Sequence, residues 1–165
     1  MLDPSVRHLL HQFKYHGWRR LADRFAEAMV PLLSGGLSGA ELVPIPLARG
    51  RLRQRGYNQA AELAQALARL TGARVAEDRV GRHRETATQT RLATAERRAN
   101  LAGAFAATER DRPAVLIDDV FTTGATLLSA ASALLDAGAS RVGAVTFARA
   151  QPPLAGAARH LTRLK

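Results

Sequence analysis

Residues Val115–Thr126 read VLIDDVFTTGAT. An apolar run stops on two adjacent carboxylates, and a short turn of hydroxyl-bearing residues around one glycine then opens an amphipathic stretch. Ala114–Ile117 predicts a buried strand. Ala125–Ala137 predicts a helix with Leu127, Leu128, Ala131, Leu134 and Leu135 on one face and Gly138 at its end, and Val142–Ala148 predicts the next strand. Strand, helix and strand in about thirty residues make a right-handed crossover on a parallel sheet. The fold class that follows is α/β.

In open parallel sheets, ligands sit beyond the carboxyl ends of the strands, where Asp118 and Asp119 fall. Thr122, Thr123, Gly124, Ala125 and Thr126 span the turn into the helix, whose unpaired N–H groups and positive dipole end suit a phosphate. Carboxylates beside a phosphate cradle would repel the phosphate itself. They make sense when they accept hydrogen bonds from hydroxyls a few ångströms away, as on a ribose, or hold a magnesium shell. A sugar phosphate satisfies both halves of the segment. A P-loop would need a lysine after a glycine-rich loop, and neither Lys14 nor Lys165 is so placed. A dinucleotide fingerprint needs three spaced glycines, and this turn has one.

Towards the amino terminus, Val6, Leu9, Leu10 and Phe13 follow helical spacing, as do Leu21, Phe25, Ala28, Met29 and Leu32. Two helices split near Gly17 are expected over residues 1–33. Glu41–Pro46 reads as a short buried strand closed by proline, and Asn58 as the cap of a helix over Ala60–Leu70 that Gly72 ends. Between them, Arg49, Arg51, Arg53 and Arg55 recur at every second position. An extended backbone would aim all four the same way, as a grip for pyrophosphate. Residues 82–105 are polar and arginine-rich, with Arg82 and Arg84 at their start; a flexible basic loop there would close over a leaving pyrophosphate. No internal repeat or linker divides the 165 residues, so one domain is expected.

Bulk composition agrees. The chain is 47% hydrophobic and 23% charged, as soluble globular domains are. It has no cysteine, which removes disulfides and thiolate metal sites and fits a cytoplasmic location. No apolar run reaches membrane-spanning length, so membrane insertion is not expected. The net charge of +10, nearly all of it arginine, favours an anionic partner: a small polyphosphate or single-stranded DNA. Tyr15, Trp18 and Tyr57 do not interleave with the basic runs along the sequence, which argues against a stacking platform for bases.

VLIDDVFTTGAT closely resembles the phosphoribosyl-pyrophosphate (PRPP) motif of type I phosphoribosyltransferases. The resemblance implies that Asp118 and Asp119 form the catalytic centre, taking the ribose hydroxyls and, through water, magnesium. It implies that Thr122, Thr123, Gly124, Ala125 and Thr126 take the 5′-phosphate, leaving pyrophosphate to Arg49, Arg53, Arg55, Arg82 and Arg84. With FKYHG at Phe13–Gly17, RGYNQA at Arg55–Ala60 and the pattern Thr86, Gln89, Leu92, Arg97, Asn100 and Phe105, nearly the whole chain resembles the ComF family, associated with genetic competence. That implies a type I phosphoribosyltransferase-like fold: a central, mostly parallel sheet flanked by helices, with a small N-terminal helical hood. The implied activity is magnesium-dependent phosphoribosyl transfer with pyrophosphate release; the alternative is a non-catalytic accessory that binds single-stranded DNA or competence proteins. Many ComF relatives begin with a four-cysteine zinc ribbon, which this cysteine-free sequence lacks. Thr122 stands where some purine-salvage relatives carry a further carboxylate, and His83 is the remaining candidate base.

Overall fold

A computed structural model describes residues 2–15, 17–33, 39–82 and 104–150. The N-terminal spacing gives helices α1 (Pro4–Tyr15) and α2 (Leu21–Met29), followed by a single tight turn at Val30–Leu33. Then come β1 (Glu41–Pro44), α3 (Arg49–Arg55), α4 (Gln59–Thr71), β2 (Val80–Arg82), β3 (Phe105–Ala107), β4 (Ala114–Phe121), α5 (Ala125–Asp136) and β5 (Val142–Arg149). Asn58 caps α4 as its sequence position requires. Its Oδ1 accepts the Ala60 N–H at 3.1 Å, while its Nδ2 donates to the Ile45 carbonyl at 3.0 Å and ties the helix start to the end of β1.

Three strands form a parallel sheet in the order β1-β4-β5, from Glu41↔Ala114 to Pro44↔Ile117 on one side and from Ala114↔Val142 to Phe121↔Arg149 on the other. On the outer side of β1, Leu42 bridges to Val75. Chain leaving β1 therefore runs through α3 and α4 to one side, and chain leaving β4 runs through α5 to the other. The crevice between the carboxyl ends of β1 and β4 is a topological switch point.

Side chains alternate across β4. Val115 and Ile117 face a cluster with Leu10, Phe13, Phe25, Met29, Leu63 and Leu67 of α1, α2 and α4. Ala114 and Leu116 face Leu127, Ala130 and Leu134 of α5. Both faces are covered, which explains why β4 begins as a continuous apolar run.

The structure corrects three expectations. The strand carrying the carboxylates does not stop at Ile117; it runs on to Phe121, because β5 goes on pairing with it after β1 has ended at Pro44. Residues 49–55 are not extended but form α3. In a helix, positions two apart lie on opposite sides and positions four apart lie together, so Arg49 pairs in direction with Arg53 and Arg51 with Arg55. Finally, Arg82 and Phe105 are strand residues, since β2 and β3 pair antiparallel. The two ends of the expected basic loop are thereby held side by side. His83, Arg84 and the rest of residues 83–103 lie outside the described residues.

At the amino end of the sheet, Glu41 and Arg79 are both buried. The Arg79 guanidinium donates to Glu41 Oε2 at 3.0 Å and to the Arg110 and Arg112 carbonyls at 2.9 and 2.7 Å. This contact fixes the approach to β4.

Candidate functional site

Asp118 and Asp119 stand where β4 runs past β1, at the crevice mouth. Asp119 is only 8% exposed, and its backbone N–H donates to Asp118 Oδ1 at 2.9 Å, which fixes the orientation of the first carboxylate by the second residue. Burial, and then the neighbouring Asp119 charge, push the Asp118 carboxyl up to about 7, against the opposing pull of the Asp119 N–H and of Lys14. One member of the pair is thus poised to hold or release a proton near neutrality.

Lys14, in the last turn of α1, makes an ion pair with Asp119 Oδ2. Sequence reading singled out FKYHG but gave its lysine no role. The signal was present all the same: Lys14 and Lys165 are the only lysines among 24 basic residues.

Past β4 the chain turns through Thr122 and Thr123 into α5. Gly124 holds φ at +75°, where L side chains are rare, and a Cβ there would lie 2.9 Å from the Phe121 ring. Glycine is required at this place on both counts. Gly124 accepts the first intrahelical bond, from Leu128 N–H at 2.9 Å, which leaves the Ala125, Thr126 and Leu127 amides at the open helix start. Thr123 Oγ1 reaches the Ala125 N–H only weakly, at 3.4 Å, and the first turn carries no acidic residue. This is the electrostatic setting that an anion needs. Arg149, at the end of β5, lies over the Phe121 ring, 5.2 Å from its centroid. Nothing in its sequence context marked it; only strand pairing brings it to this turn.

The predicted pyrophosphate residues divide. Arg49 and Arg53 are exposed on α3. Arg55 is engaged within the protein: it donates to Gln59 Oε1 at 2.8 Å and to the Tyr15 hydroxyl at 3.1 Å, and lies 4.9 Å over the Tyr15 ring. Arg82 stacks on Phe105 at 5.5 Å, and burial together with the like charge of Arg51 lowers its pKa. Arg51 and Arg82, although far apart in sequence, are thus near enough for their like charges to interact. Aromatic and basic side chains also interleave in space as they do not along the chain, with Arg19 lying 4.7 Å over Tyr57 in addition to the Arg55–Tyr15 pair.

Two carboxylates at a switch point, followed by a phosphate-ready helix start, form the geometry, and residues 52–159 match the family model described as phosphoribosyl transferase domain. The chain belongs to the phosphoribosyl transferase domain family. Its parallel sheet flanked by helices is the fold expected of the type I members. Among curated proteins it is 33% identical over 147 residues to DNA utilization protein YhgH of Escherichia coli O6:H1, covering 84% of this chain and 65% of that protein. It is 37% identical over 114 residues to Competence protein F of Haemophilus influenzae, covering 66% of this chain and 50% of that protein. With Competence protein ComFC of Bacillus subtilis the identity is 30% over 153 residues, covering 89% of this chain and 61% of that protein. These similarities place it among the ComF members of the phosphoribosyl transferase family. The chain spans less than two thirds of the length of each of these relatives.

As a magnesium site, the acidic pair is compromised. Asp118 and Asp119 are the carboxylates that would hold the ion, yet the Asp119 oxygen facing α1 already carries the Lys14 ammonium. Among the described residues no cluster of three metal-ligating side chains occurs. As they stand, the residues do not fit a divalent ion on Asp119.

Proposed function

We propose that this chain binds PRPP or a closely related sugar phosphate in the crevice between β1 and β4. Asp118 and Asp119 would receive the ribose hydroxyls, and the Thr122–Thr126 turn would receive the 5′-phosphate. The observation that carries this reading is the placement of the carboxyl pair on the part of β4 that continues past the end of β1, one short turn before a helix start that has no acidic side chain in its first turn. Arg49, Arg53 and the convergent Arg51 and Arg82 supply positive charge for pyrophosphate, and Arg149 adds a cation beside the phosphate turn.

Transfer would follow from the same geometry. The bond from the sugar's anomeric carbon to pyrophosphate would break as one to an acceptor nucleophile forms, the acceptor giving up a proton; the carboxylate pair would stabilise the positive charge developing on the sugar, and the arginines the departing pyrophosphate. Relatives named for competence and DNA utilization support a cellular role in DNA uptake or use. A second reading, direct contact with single-stranded DNA, draws on the net charge of +10 and on the arginine–aromatic stacks at Tyr15 and Tyr57.

Calorimetry tests the first reading. The wild-type chain should bind PRPP, and Asp118→Asn with Asp119→Asn should weaken binding by about a hundredfold, the loss of two charge-assisted contacts, with an unchanged circular dichroism spectrum. Equal PRPP affinity in the double variant would remove the site. Single-stranded DNA affinity that falls steeply with salt and persists in that variant would favour the second reading.

A further inference from the structure

Lys14 comes from outside the segment that matches the family model, which begins at residue 52. Its helix is fixed rather than loosely laid on: α1 buries Leu10 and Phe13 in the main core. The last turn of α1 thus delivers one ammonium to the inner oxygen of Asp119. The pair is largely withdrawn from water, with 22% of the lysine side chain and 11% of the aspartate side chain exposed. In a chain where 22 of 24 basic residues are arginine, the compact cation stands at this place. An ammonium is a point charge that can sit on one carboxylate oxygen, whereas a guanidinium would present a broad fork.

A divalent ion on the same oxygen would meet that ammonium at contact distance. In a poorly hydrated crevice, like charges so close repel strongly. We infer that Lys14 is the resident cation of the acidic pair: it balances Asp119 so that the two carboxylates receive sugar hydroxyls without an obligatory divalent ion, and a divalent ion at this pair competes with Lys14. The ligand half of this inference rests on the sugar-phosphate reading above. The competition between cations does not.

The experiment uses the full chain and two probes: Mn²⁺ alone, followed by electron paramagnetic resonance, and ribose 5-phosphate, followed by calorimetry. Ribose 5-phosphate offers the hydroxyls and phosphate without the pyrophosphate that would itself carry metal. Removing the resident charge in Lys14→Gln should tighten Mn²⁺ binding by about tenfold, and the gain should vanish in Lys14→Gln with Asp119→Asn. Lys14→Arg, which keeps a cation, should bind Mn²⁺ as weakly as wild type. Wild-type affinity for ribose 5-phosphate should agree within about twofold in chelator and in Mg²⁺, whereas Lys14→Gln should lose about tenfold in chelator and recover it in Mg²⁺. Equal Mn²⁺ affinity in wild type and Lys14→Gln, or a wild type that needs Mg²⁺ for ribose 5-phosphate, overturns the inference. Should Lys14→Gln fail to fold, Lys14→Met, which keeps the apolar stem, takes its place in both assays. If no variant binds ribose 5-phosphate in any condition, the sugar-phosphate reading falls, and the Mn²⁺ comparison alone decides the role of Lys14.

Discussion

At the amino end of the sheet, Arg79 and Glu41 are each 1% exposed, and the two terminal guanidinium nitrogens donate to Glu41 and to backbone carbonyls of the segment that leads into β4. At the carboxyl end, Asp119 faces a single lysine, and Asp118 accepts from the neighbouring amide. Both ends hold buried carboxylates and cations. The first is closed by the protein's own backbone, so its ion pair fixes the positions of β1 and β4. The second has its carboxylates on a strand that outruns its neighbour, one turn before a helix start with no acidic side chain in its first turn. The amino-end pair is tied to the backbone that leads into β4, and the carboxyl-end pair is not, which is the contrast the proposed ligand site rests on.

The largest effect expected from this contrast is in stability. Arg79→Met would strip Glu41 of its buried partner and remove the side-chain donor to the Arg110 and Arg112 carbonyls, at a cost of about 3–5 kcal/mol. Asp119→Asn, at the other end, should cost only about 1 kcal/mol, since Lys14 can turn to water. Urea denaturation of the two variants measures the difference directly. Comparable losses would mean that the carboxyl-end pair is as structural as the amino-end one.

A smaller effect concerns Asp118. In the folded chain its carboxyl holds a proton to about pH 7, while an ordinary aspartate releases it near 3.8. Its contribution to stability is therefore fully present below pH 3.8 and is lost as pH rises through 7, because the folded state must then carry a buried charge beside Asp119. Asp118→Asn should remove that loss, leaving the variant more stable than wild type at pH 8 by on the order of 2 kcal/mol and nearly equal to it at pH 4. Denaturation midpoints at the two pH values report it. A difference that is the same at both would show that the carboxyl titrates normally.

How far the sequence foretold this arrangement depended on the range of the forces involved. The β4-α5-β5 unit was legible because apolar runs, helical spacing and Gly138 act locally, and the Asn58 cap and the split at Gly17 were legible for the same reason. The turn through Gly124 into α5 was legible as well, because a strand-to-helix turn is made by consecutive residues. The alternating arginines misled, since a period of two in polar residues says nothing when no face is buried; α3 forms between its C-terminal Gly56 and an exposed surface. The convergence of Lys14 on Asp119, of Arg51 on Arg82 and of Arg149 on Phe121 each joins segments distant along the chain. Tertiary packing decides such contacts, and no local pattern encodes them. The continuation of β4 past Ile117 has the same origin, because it depends on β5 being longer than β1.

The smallest effect lies at the outer rim of the amino-end cluster and reverses the sign seen at Asp118. Asp78 accepts from Arg110 Nη2 at 2.6 Å, and that hydrogen bond lowers the Asp78 pKa. A carboxyl whose pKa is lowered on folding contributes stability above its ordinary value near 3.8 and loses it as pH falls through the lower, folded value. The group is solvent-exposed, so water and salt screen its attraction to Arg110. Asp78→Asn should therefore leave the midpoint at pH 7 nearly unchanged and slightly flatten the acid limb of the stability curve below pH 4, with the flattening erased by added salt. Opposite slopes for Asp118 and Asp78 in one pH series would separate a carboxyl held against its own charge from one held by a partner's. If the Asp78 variant instead lost stability at pH 7 on the scale expected for Arg79→Met, the amino-end cluster would extend to the surface, and its boundary with solvent would have to be redrawn at Arg110.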